Sequence, residues 1–171
     1  NDIVKKFNIK DISLLESIFY FLIDSVGSLF SVNTLVKYFK SNGILANFET
    51  VFNYISYLCK SLLIHKCEKY DIRGKRKITG NCKYYLNDIA YKHYFSSGFD
   101  LGLTRRLENI FYLHFKLSGY NVYVGSIYDS EVDFIIEKKD IKEYYQICYL
   151  LSNEEVVERE YRSLQRIKDN Y

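Results

Sequence analysis

The chain has 171 residues, of which 48% are hydrophobic and 26% are charged. A length of about 150 residues per domain predicts one ordinary domain or two small ones, and this composition excludes disordered, collagen-like and coiled-coil chains. The net charge is +3, because 24 Lys and Arg residues stand against 21 Asp and Glu residues. Since the sequence contains no Met, we expect it to be a fragment or a processed chain.

The charge is distributed unevenly along the chain. Residues 1–95 hold 14 basic against 8 acidic side chains, whereas residues 96–171 hold 10 against 13. The sign of the net charge therefore changes from +6 to −3, which predicts two modules with different partners.

The four cysteines form no C-x-x-C pair, and no secretory signal is present. This predicts a reduced, cytoplasmic chain without disulfide bonds. Cys59 and Cys67 are too far apart for a typical zinc-ligand pair, so no metal site is expected from them. The longest apolar run near the N-terminus is interrupted by Asp24, short of the roughly 18 residues that a membrane span needs. We expect no membrane partner.

Three short amphipathic helices are predicted in the N-terminal part of the chain. Ser13 and Glu16 fit a capping box for the first helix, which is expected to stop near Gly27. Ser31 and Asn47 are expected to cap the second and third helices.

A β-hairpin is predicted next, because residues 63–70 and 82–86 alternate in hydrophobicity and a basic, turn-rich segment joins them. Helix, helix, helix, hairpin is the order of a winged helix. Asp88 is expected to cap a short helix that follows the hairpin. We therefore predict a winged-helix domain over residues 1–95, with a Ser- and Gly-containing linker leading into a second domain over residues 96–171.

The second domain is predicted as a helix, three strands and a last helix that begins near Glu154. Thr104 is the expected cap of the first of these helices, and Gly119 closes it. Its expected inward face comprises Leu107, Ile110, Phe111, His114 and Leu117. The expected strands are residues 121–124, 131–137 and 143–150. The predicted fold class is α+β or α/β.

Two groups of residues are candidates for nucleic-acid contact. The hairpin segment from Lys66 to Lys83 carries seven basic residues against two acidic ones, which suits a wing that tracks phosphates. The third helix presents polar residues at its N-terminal end, where a recognition helix enters a groove. The candidate contacts are Thr50, Asn53, Tyr57, Lys66, Arg73, Lys75, Arg76 and Lys77. The alternatives are a solvated sheet edge and a protein-binding winged helix.

Acidic residues in the second domain follow the layout of the PD-(D/E)xK nucleases. Glu108 lies on a helix, and Asp133 lies on the first strand of a hairpin, facing the same way as Glu131 and Ile135 by period-two alternation. Such nucleases bind Mg²⁺ through two carboxylates and use a lysine to orient water. Here Gln146 stands at the second carboxylate position and Cys148 at the lysine position.

These two departures predict a degenerate domain without catalytic or metal-binding residues. If the domain is a nuclease, its site residues are Glu108, Asp133 and Gln146, and its metal ligands are Glu108 and Asp133. A carboxylate of the last helix, Glu158 or Glu160, would then act as a migrated ligand.

Several stretches of the sequence resemble the bacterial and archaeal AAA-type ATPases whose C-terminal region is a domain of unknown function. The resemblance covers most of residues 30–171. It is carried by Lys83-Tyr84-Tyr85-Leu86-Asn87-Asp88, Arg106-Leu107-Glu108-Asn109-Ile110, Gly119-Tyr120-Asn121-Val122-Tyr123-Val124-Gly125, Glu131-Val132-Asp133-Phe134-Ile135, Tyr145-Gln146-Ile147-Cys148-Tyr149 and Glu158-Arg159-Glu160.

This resemblance implies a parent protein with an N-terminal P-loop ATPase domain, followed by a winged helix and a nuclease-like domain. ATP and Mg²⁺ would be cofactors of that parent, and no residue of this chain is expected to bind ATP. The family usually carries the same glutamine at the position of Gln146, and often has a second Glu where this chain has His114.

Three functions follow as hypotheses. The first is a non-catalytic C-terminal module that binds DNA or positions a partner, including the ATPase domain of the same protein. The second is a Mg²⁺-dependent nuclease with migrated active-site residues. The third is a protein-interaction module that does not bind nucleic acid.

Overall fold

The computed structural model describes residues 2–95 and 102–167, and they form a mixed α+β structure with a five-stranded sheet and seven helices. The expected α+β class is confirmed. The helices are α1 (Asp2–Lys6), α2 (Ile12–Asp24), α3 (Val32–Ser41), α4 (Phe48–Lys60), α5 (Ala90–Phe95), α6 (Leu103–Leu117) and α7 (Glu154–Gln165). The strands are β1 (Ile64–Asp71), β2 (Arg76–Leu86), β3 (Asn121–Ile127), β4 (Ser130–Lys138) and β5 (Ile141–Tyr145). Most of the linker expected from residue 96 onward lies outside the described residues.

The chain divides into two compact units. The described residues of 2–66 and 80–95 form the first unit, and those of 67–79 and 102–167 form the second. The domain division at residue 95 stays a prediction. Residues 67–79, which that division assigns to the first domain, pack with the second unit.

The helices of the first unit begin where short polar side chains can accept their unpaired N–H groups. Ser31 accepts a hydrogen bond from Thr34 N at 3.2 Å, and Asn47 accepts one from Thr50 N at 2.8 Å. Both caps are confirmed. The expected cap Ser13 is wrong, because the carboxylate of Asp11 accepts from Leu14 N at 2.9 Å and starts α2 two residues earlier.

The first unit closes around one apolar core built from α2, α3, α4 and the inner ends of the hairpin. Ile18, Leu22, Leu35, Val51 and Ile64 are fully buried there. The segment between α2 and α3 also joins the hairpin, since Phe30 and Cys82 exchange backbone hydrogen bonds of 3.2 and 3.0 Å.

The sheet has the strand order β2-β1-β3-β4-β5. Within the second unit, β1 runs parallel to β3, with Lys69–Asp71 facing Val124–Ser126, and the β3-β4 and β4-β5 pairs are antiparallel. The outer end of β1 is therefore also paired with a strand of the second unit.

Helices cover both faces of this sheet. Phe115 of α6 packs against Phe134 of β4 and Tyr145 of β5. On the other face, Leu164 of α7 packs on a cluster that includes Ile135, together with Ile167 from the segment that follows the helix. Residues 132–136 are buried along their whole length because both faces are covered.

Two details of the second unit differ from the prediction. Helix α6 starts after Gly102 without a side-chain cap, so Thr104 is not the cap. The helix also turns a different face inward, burying Glu108, Asn109, Tyr112 and Phe115, while His114 is exposed. The expected inward residues Ile110, Phe111 and Leu117 are exposed.

Candidate functional site

A polar cluster forms in the second unit where β4 meets the segment after β5. The register of β3 and β4 shifts between Tyr123 and Gly125, so Val124 alone faces two residues of β4, Asp133 and Phe134. This β-bulge breaks the period-two alternation, and Val132 and Ile135 consequently pack in the same apolar cluster. The predicted shared face of Glu131, Asp133 and Ile135 is wrong for this reason.

Asp133, at the bulge, lies next to Gln146. The carboxylate of Asp133 accepts a hydrogen bond from Ile147 N at 2.8 Å, and Asp133 N donates to Gln146 Oε1 at 3.3 Å. Strand β5 ends at Tyr145, so Gln146 and Cys148 follow the strand and do not lie on it. Asp133 is 6% exposed, and the cluster is largely shielded from water.

Helix α7 completes the cluster with two side chains. Ser163 Oγ donates to Gln146 Oε1 at 3.4 Å, and Gln146 Nε2 donates to Glu160 Oε2 at 3.2 Å. The other oxygen of Glu160 accepts from Arg159 Nε and Nη2 at 3.1 and 2.8 Å. This pairing raises the pKa of Arg159. Ser163 had no sequence signal that linked it to the cluster, whereas Glu160 was expected as a migrated carboxylate.

These contacts do not fit a two-carboxylate Mg²⁺ site. A neutral amide lies between Asp133 and Glu160, its N–H₂ group donates to Glu160, and its oxygen accepts from Asp133 N and Ser163. Both oxygens of Glu160 already accept hydrogen bonds. Mg²⁺ needs several oxygen ligands in a near-octahedral arrangement. In the part of the chain that the structure describes, no group of three or more His, Cys, Asp or Glu side chains is placed to hold a metal ion.

Glu108, the remaining residue of the nuclease-like set, lies on the inward face of α6. It is 6% exposed, beside the fully buried Asn109. Helix α6 packs against β3 and β4, the strands that form the bulge. Burying a carboxylate or an amide costs free energy unless the group forms hydrogen bonds. Helix α6 nevertheless buries Glu108 and Asn109 while Ile110 and Leu117 on the same helix are exposed.

The basic end of the hairpin also belongs to the second unit. Arg73, Lys75, Arg76 and Lys77 are all exposed, around a turn in which Gly74 N donates to Asp71 Oδ1 at 3.0 Å. Lys77 pairs with Glu68 at 3.0 Å, and this hydrogen bond raises its pKa. Arg73 stacks over the ring of Tyr128, with 5.3 Å between the guanidinium carbon and the ring centroid.

The remaining nucleic-acid candidates lie in the first unit, so the structure divides the predicted set between the two units. Lys66 is exposed on β1. Thr50, Asn53 and Tyr57 are half-buried and line a cleft of about 430 Å³ beside residues 7–14. The ring of Tyr57 stacks on Phe7, with centroids 4.3 Å apart. The N-terminal residues thus cover part of the helix face that was predicted to be open.

The fold defines a two-unit α+β protein with a basic hairpin end and a partly buried Asp-Gln-Glu cluster. Residues 1–107 match the model of the family described as Domain of unknown function (DUF8612), and the chain belongs to that family. An uncharacterized protein of Haemophilus influenzae is 32% identical over all 171 residues, and the chain spans 42% of the length of that relative. No solved structure is significantly similar to the chain.

Within the part of the chain that the structure describes, no helix is both long enough and apolar enough to cross a bilayer.

Proposed function

We propose that this chain is a non-catalytic, DNA-binding module of a longer protein, in which the basic end of the hairpin holds backbone phosphates. The observation that supports this proposal is the group of four exposed cations, Arg73, Lys75, Arg76 and Lys77, around one turn. The strand that leads into this turn is paired with β3. Lys and Arg side chains that neutralise phosphates supply most of the affinity of non-specific DNA binding. A turn fixed by strand pairing loses less conformational entropy on binding than a flexible loop does.

The topology of the first unit supports a winged-helix assignment. After the short helix α1, the three helices α2, α3 and α4 precede the hairpin, and the Phe30–Cys82 bridge joins the segment between α2 and α3 to β2, where a winged helix has a short third strand. Helix α4 would then be the recognition helix. Thr50 and Asn53 would approach a groove from the cleft that they share with the N-terminal residues.

The second unit supports a degenerate nuclease-like domain. Glu108 lies on a helix and Asp133 on the first strand of a hairpin, as in the PD-(D/E)xK layout, whereas Gln146 follows the second strand and its amide is engaged by Asp133, Glu160 and Ser163. A fold can persist after its chemistry is lost. The competing hypothesis, a Mg²⁺-dependent nuclease, would be favoured by Asp133-dependent Mn²⁺ binding in isothermal titration.

The parent protein is proposed to be an AAA-type ATPase, as the sequence resemblance implies. The chain spans 42% of its Haemophilus influenzae relative, which leaves room for a further domain in that protein. Titration of Mg·ATP into the intact protein and into this chain tests the proposal, and we expect only the intact protein to bind.

The DNA-binding proposal is tested by fluorescence anisotropy of a labelled blunt duplex titrated across a salt series. Each phosphate contact contributes about −0.9 to the slope of log K against log salt. Replacing Arg73, Lys75, Arg76 and Lys77 by Gln together should therefore flatten the slope by about 2 to 4 and weaken binding uniformly across sequences.

The matched control removes the same charge from the first unit. Lys5, Lys37, Lys40 and Lys60 are all exposed and lie outside the cleft that Thr50 and Asn53 line, so their replacement by Gln should leave most of the slope in place. A slope that is unchanged in the hairpin variant would contradict the proposal. Duplex binding that is absent even at low salt would instead favour the protein-interaction hypothesis, for which α6 offers the exposed residues Ile110 and Leu117.

A further inference from the structure

A cleft of about 660 Å³ opens in the second unit at the ends of β1, β3 and α7. Its walls come from the residues after β1, from the turn between β3 and β4 and from the last residues of α7. The lining residues are Ile72, Arg73, Ile127, Tyr128, Asp129, Gln165 and Arg166. The cleft does not include the Asp133 cluster.

Tyr128 is the aromatic residue of this cleft, and its side chain is 68% exposed. Its backbone has φ of 53°, in the left-handed region that residues other than glycine seldom adopt. The turn thus places a tyrosine ring in solvent at a position where Asn or Gly would be easier to accommodate. Arg73 stacks over this ring at 5.3 Å.

A second guanidinium, that of Arg166, is held against the β3-β4 turn. Its Nη1 atom donates to Asp129 Oδ1 at 2.7 Å and to Ser130 Oγ at 2.6 Å. Both bonds come from one nitrogen, and a guanidinium carries five N–H donors in all. Two arginines against one carboxylate leave the lining of the cleft with a net positive charge.

An exposed aromatic ring in a cleft that two arginines also line suits the binding of an unpaired nucleotide, because a base stacks on the ring while guanidinium groups hold the phosphate. We propose that the cleft binds one unpaired nucleotide, with its base on Tyr128 and its phosphate between Arg73 and Arg166. This rests on the proposed DNA-binding function and adds to it a preference for duplexes that end in a single strand. The same chemistry could also bind a free nucleotide.

The test compares a blunt duplex with the same duplex carrying a three-nucleotide overhang, by anisotropy at one salt concentration. Stacking of one base should make the full chain bind the overhang duplex about tenfold more tightly. Tyr128→Ala should abolish that difference and leave blunt-duplex binding unchanged, whereas Tyr128→Phe should retain it. Tyr149→Ala is the control, because Tyr149 is also exposed and lies outside the cleft.

The outcomes separate this proposal from the DNA-binding proposal. Equal affinity for blunt and overhang duplexes, or an equal loss on both in Tyr128→Ala, would overturn the nucleotide cleft while duplex binding stands. Overhang binding that depends on Tyr128 without any blunt-duplex binding would support the cleft and overturn the duplex proposal. Titration with a nucleoside monophosphate distinguishes the sources: competition at micromolar concentration would assign the cleft to free nucleotides and overturn a strand-specific role.

Discussion

At the scale of single residues, Gln146 determines what the buried cluster can do. A carboxylate at this position would face Glu160 at the 3.2 Å that now separates the amide nitrogen from Glu160 Oε2. The amide instead donates to Glu160 and accepts from Asp133 N, so each polar group has a partner of opposite character. The neutral amide of Gln146 thus keeps a second carboxylate from lying directly beside Glu160 in this cluster.

We predict that Gln146→Glu lowers the free energy of unfolding by about 1 to 3 kcal/mol at pH 7, because a donor is lost and two carboxylates then face each other. Like charges raise the pKa of one carboxyl in the folded state above its unfolded value of about 4.3. The destabilisation should therefore be full at neutral pH and shrink as the pH falls toward that value. Urea unfolding at pH 7 and pH 4.5 measures it.

The other glutamine of the sequence provides the control for this substitution. Gln165→Glu on the exposed end of α7 should change stability by less than about 0.5 kcal/mol. Equal stability of Gln146→Glu and the unmodified chain at pH 7 would contradict the assigned hydrogen bonds. Mn²⁺ should restore stability to Gln146→Glu and have no effect on the unmodified chain.

Cys59 illustrates how burial controls a single side chain in the first unit. Burial raises the pKa of its thiol to about 11, and the neighbouring Cys82 adds to the shift while Lys66 opposes it. We predict slow alkylation of Cys59 by iodoacetamide at pH 8, with a rate that rises about tenfold per pH unit up to pH 11, since the thiolate is the reactive form. Peptide mass spectrometry measures the rate.

The unfolded chain is the reference for this rate. In denaturant, the Cys59 thiol should react at the rate of an ordinary cysteine, whose pKa is about 8.5. Because the folded pKa is the higher one, this thiol favours the folded state below pH 8.5 and loses that contribution as the pH rises toward 11. Equal rates at pH 8 in the folded and unfolded chain would show that Cys59 is not shielded.

At the scale of elements, close packing between β3 and β4 depends on the small size of Gly125. A Cβ atom at this position would lie 2.8 Å from Val132 Cβ and 3.2 Å from Ile135 Cγ1 and Ile72 Cδ1. We predict that Gly125→Ala destabilises the chain by about 1 to 3 kcal/mol, because neighbouring strands would have to move apart. Thermal unfolding measures the change, with Ser126→Ala on the same strand as the control. A melting temperature equal to that of the control would contradict this packing.

Helix caps show which elements the sequence could predict. Ser31 and Asn47 cap α3 and α4 because their side chains accept N–H groups within the same turn, and such a contact depends only on local sequence. Asp11 competes with Ser13 for the start of α2, and the choice depends on two polar residues separated by one position. The sequence therefore predicts that helix α2 exists, but it does not determine the residue at which the helix begins.

Helix α6 shows what sequence periodicity could not predict. It has apolar residues on two faces, and the face with Leu107, Ile110 and Leu117 is the more apolar one. The structure buries the other face, with Glu108 and Asn109 beside Tyr112 and Phe115. Periodicity assigns the most apolar stripe to the core, so it fails where a buried face carries polar side chains. The β-bulge at Asp133 could not be predicted for a related reason, because period-two alternation assumes that each residue of a strand faces one residue of the partner strand.

At the scale of the whole molecule, the hairpin contributes to both units. Its inner ends carry core residues of the first unit, including Ile64 and Leu86, whereas residues 67–79 pack with the second. Sequence order suggested a boundary after residue 95, since nothing local reveals that β1 will pair with a strand more than fifty residues later, as Lys69 does with Val124. The candidate residues stay a prediction, and their distribution between the units depends on this long-range pairing.

We predict from this arrangement that a fragment of residues 1–95 folds on its own and a fragment of residues 96–171 does not. The first fragment keeps every described residue of its unit, whereas the second loses the strand that pairs with β3 and the core residue Ile72, which is 3% exposed. An unpaired, apolar strand edge favours aggregation. Size-exclusion chromatography and the dispersion of amide NMR signals measure the outcome.

A fragment of residues 67–171 is the matched control, because it restores the pairing of Lys69–Asp71 with Val124–Ser126 and returns Ile72 to its cluster. We expect this longer fragment to be monomeric and to show dispersed amide signals. If residues 96–171 alone gave the same spectrum in the shared region, the hairpin would not be an integral part of the second unit. The basic turn would then be attached to that unit without stabilising it, and the sheet-anchored phosphate contact proposed above would lose its structural basis.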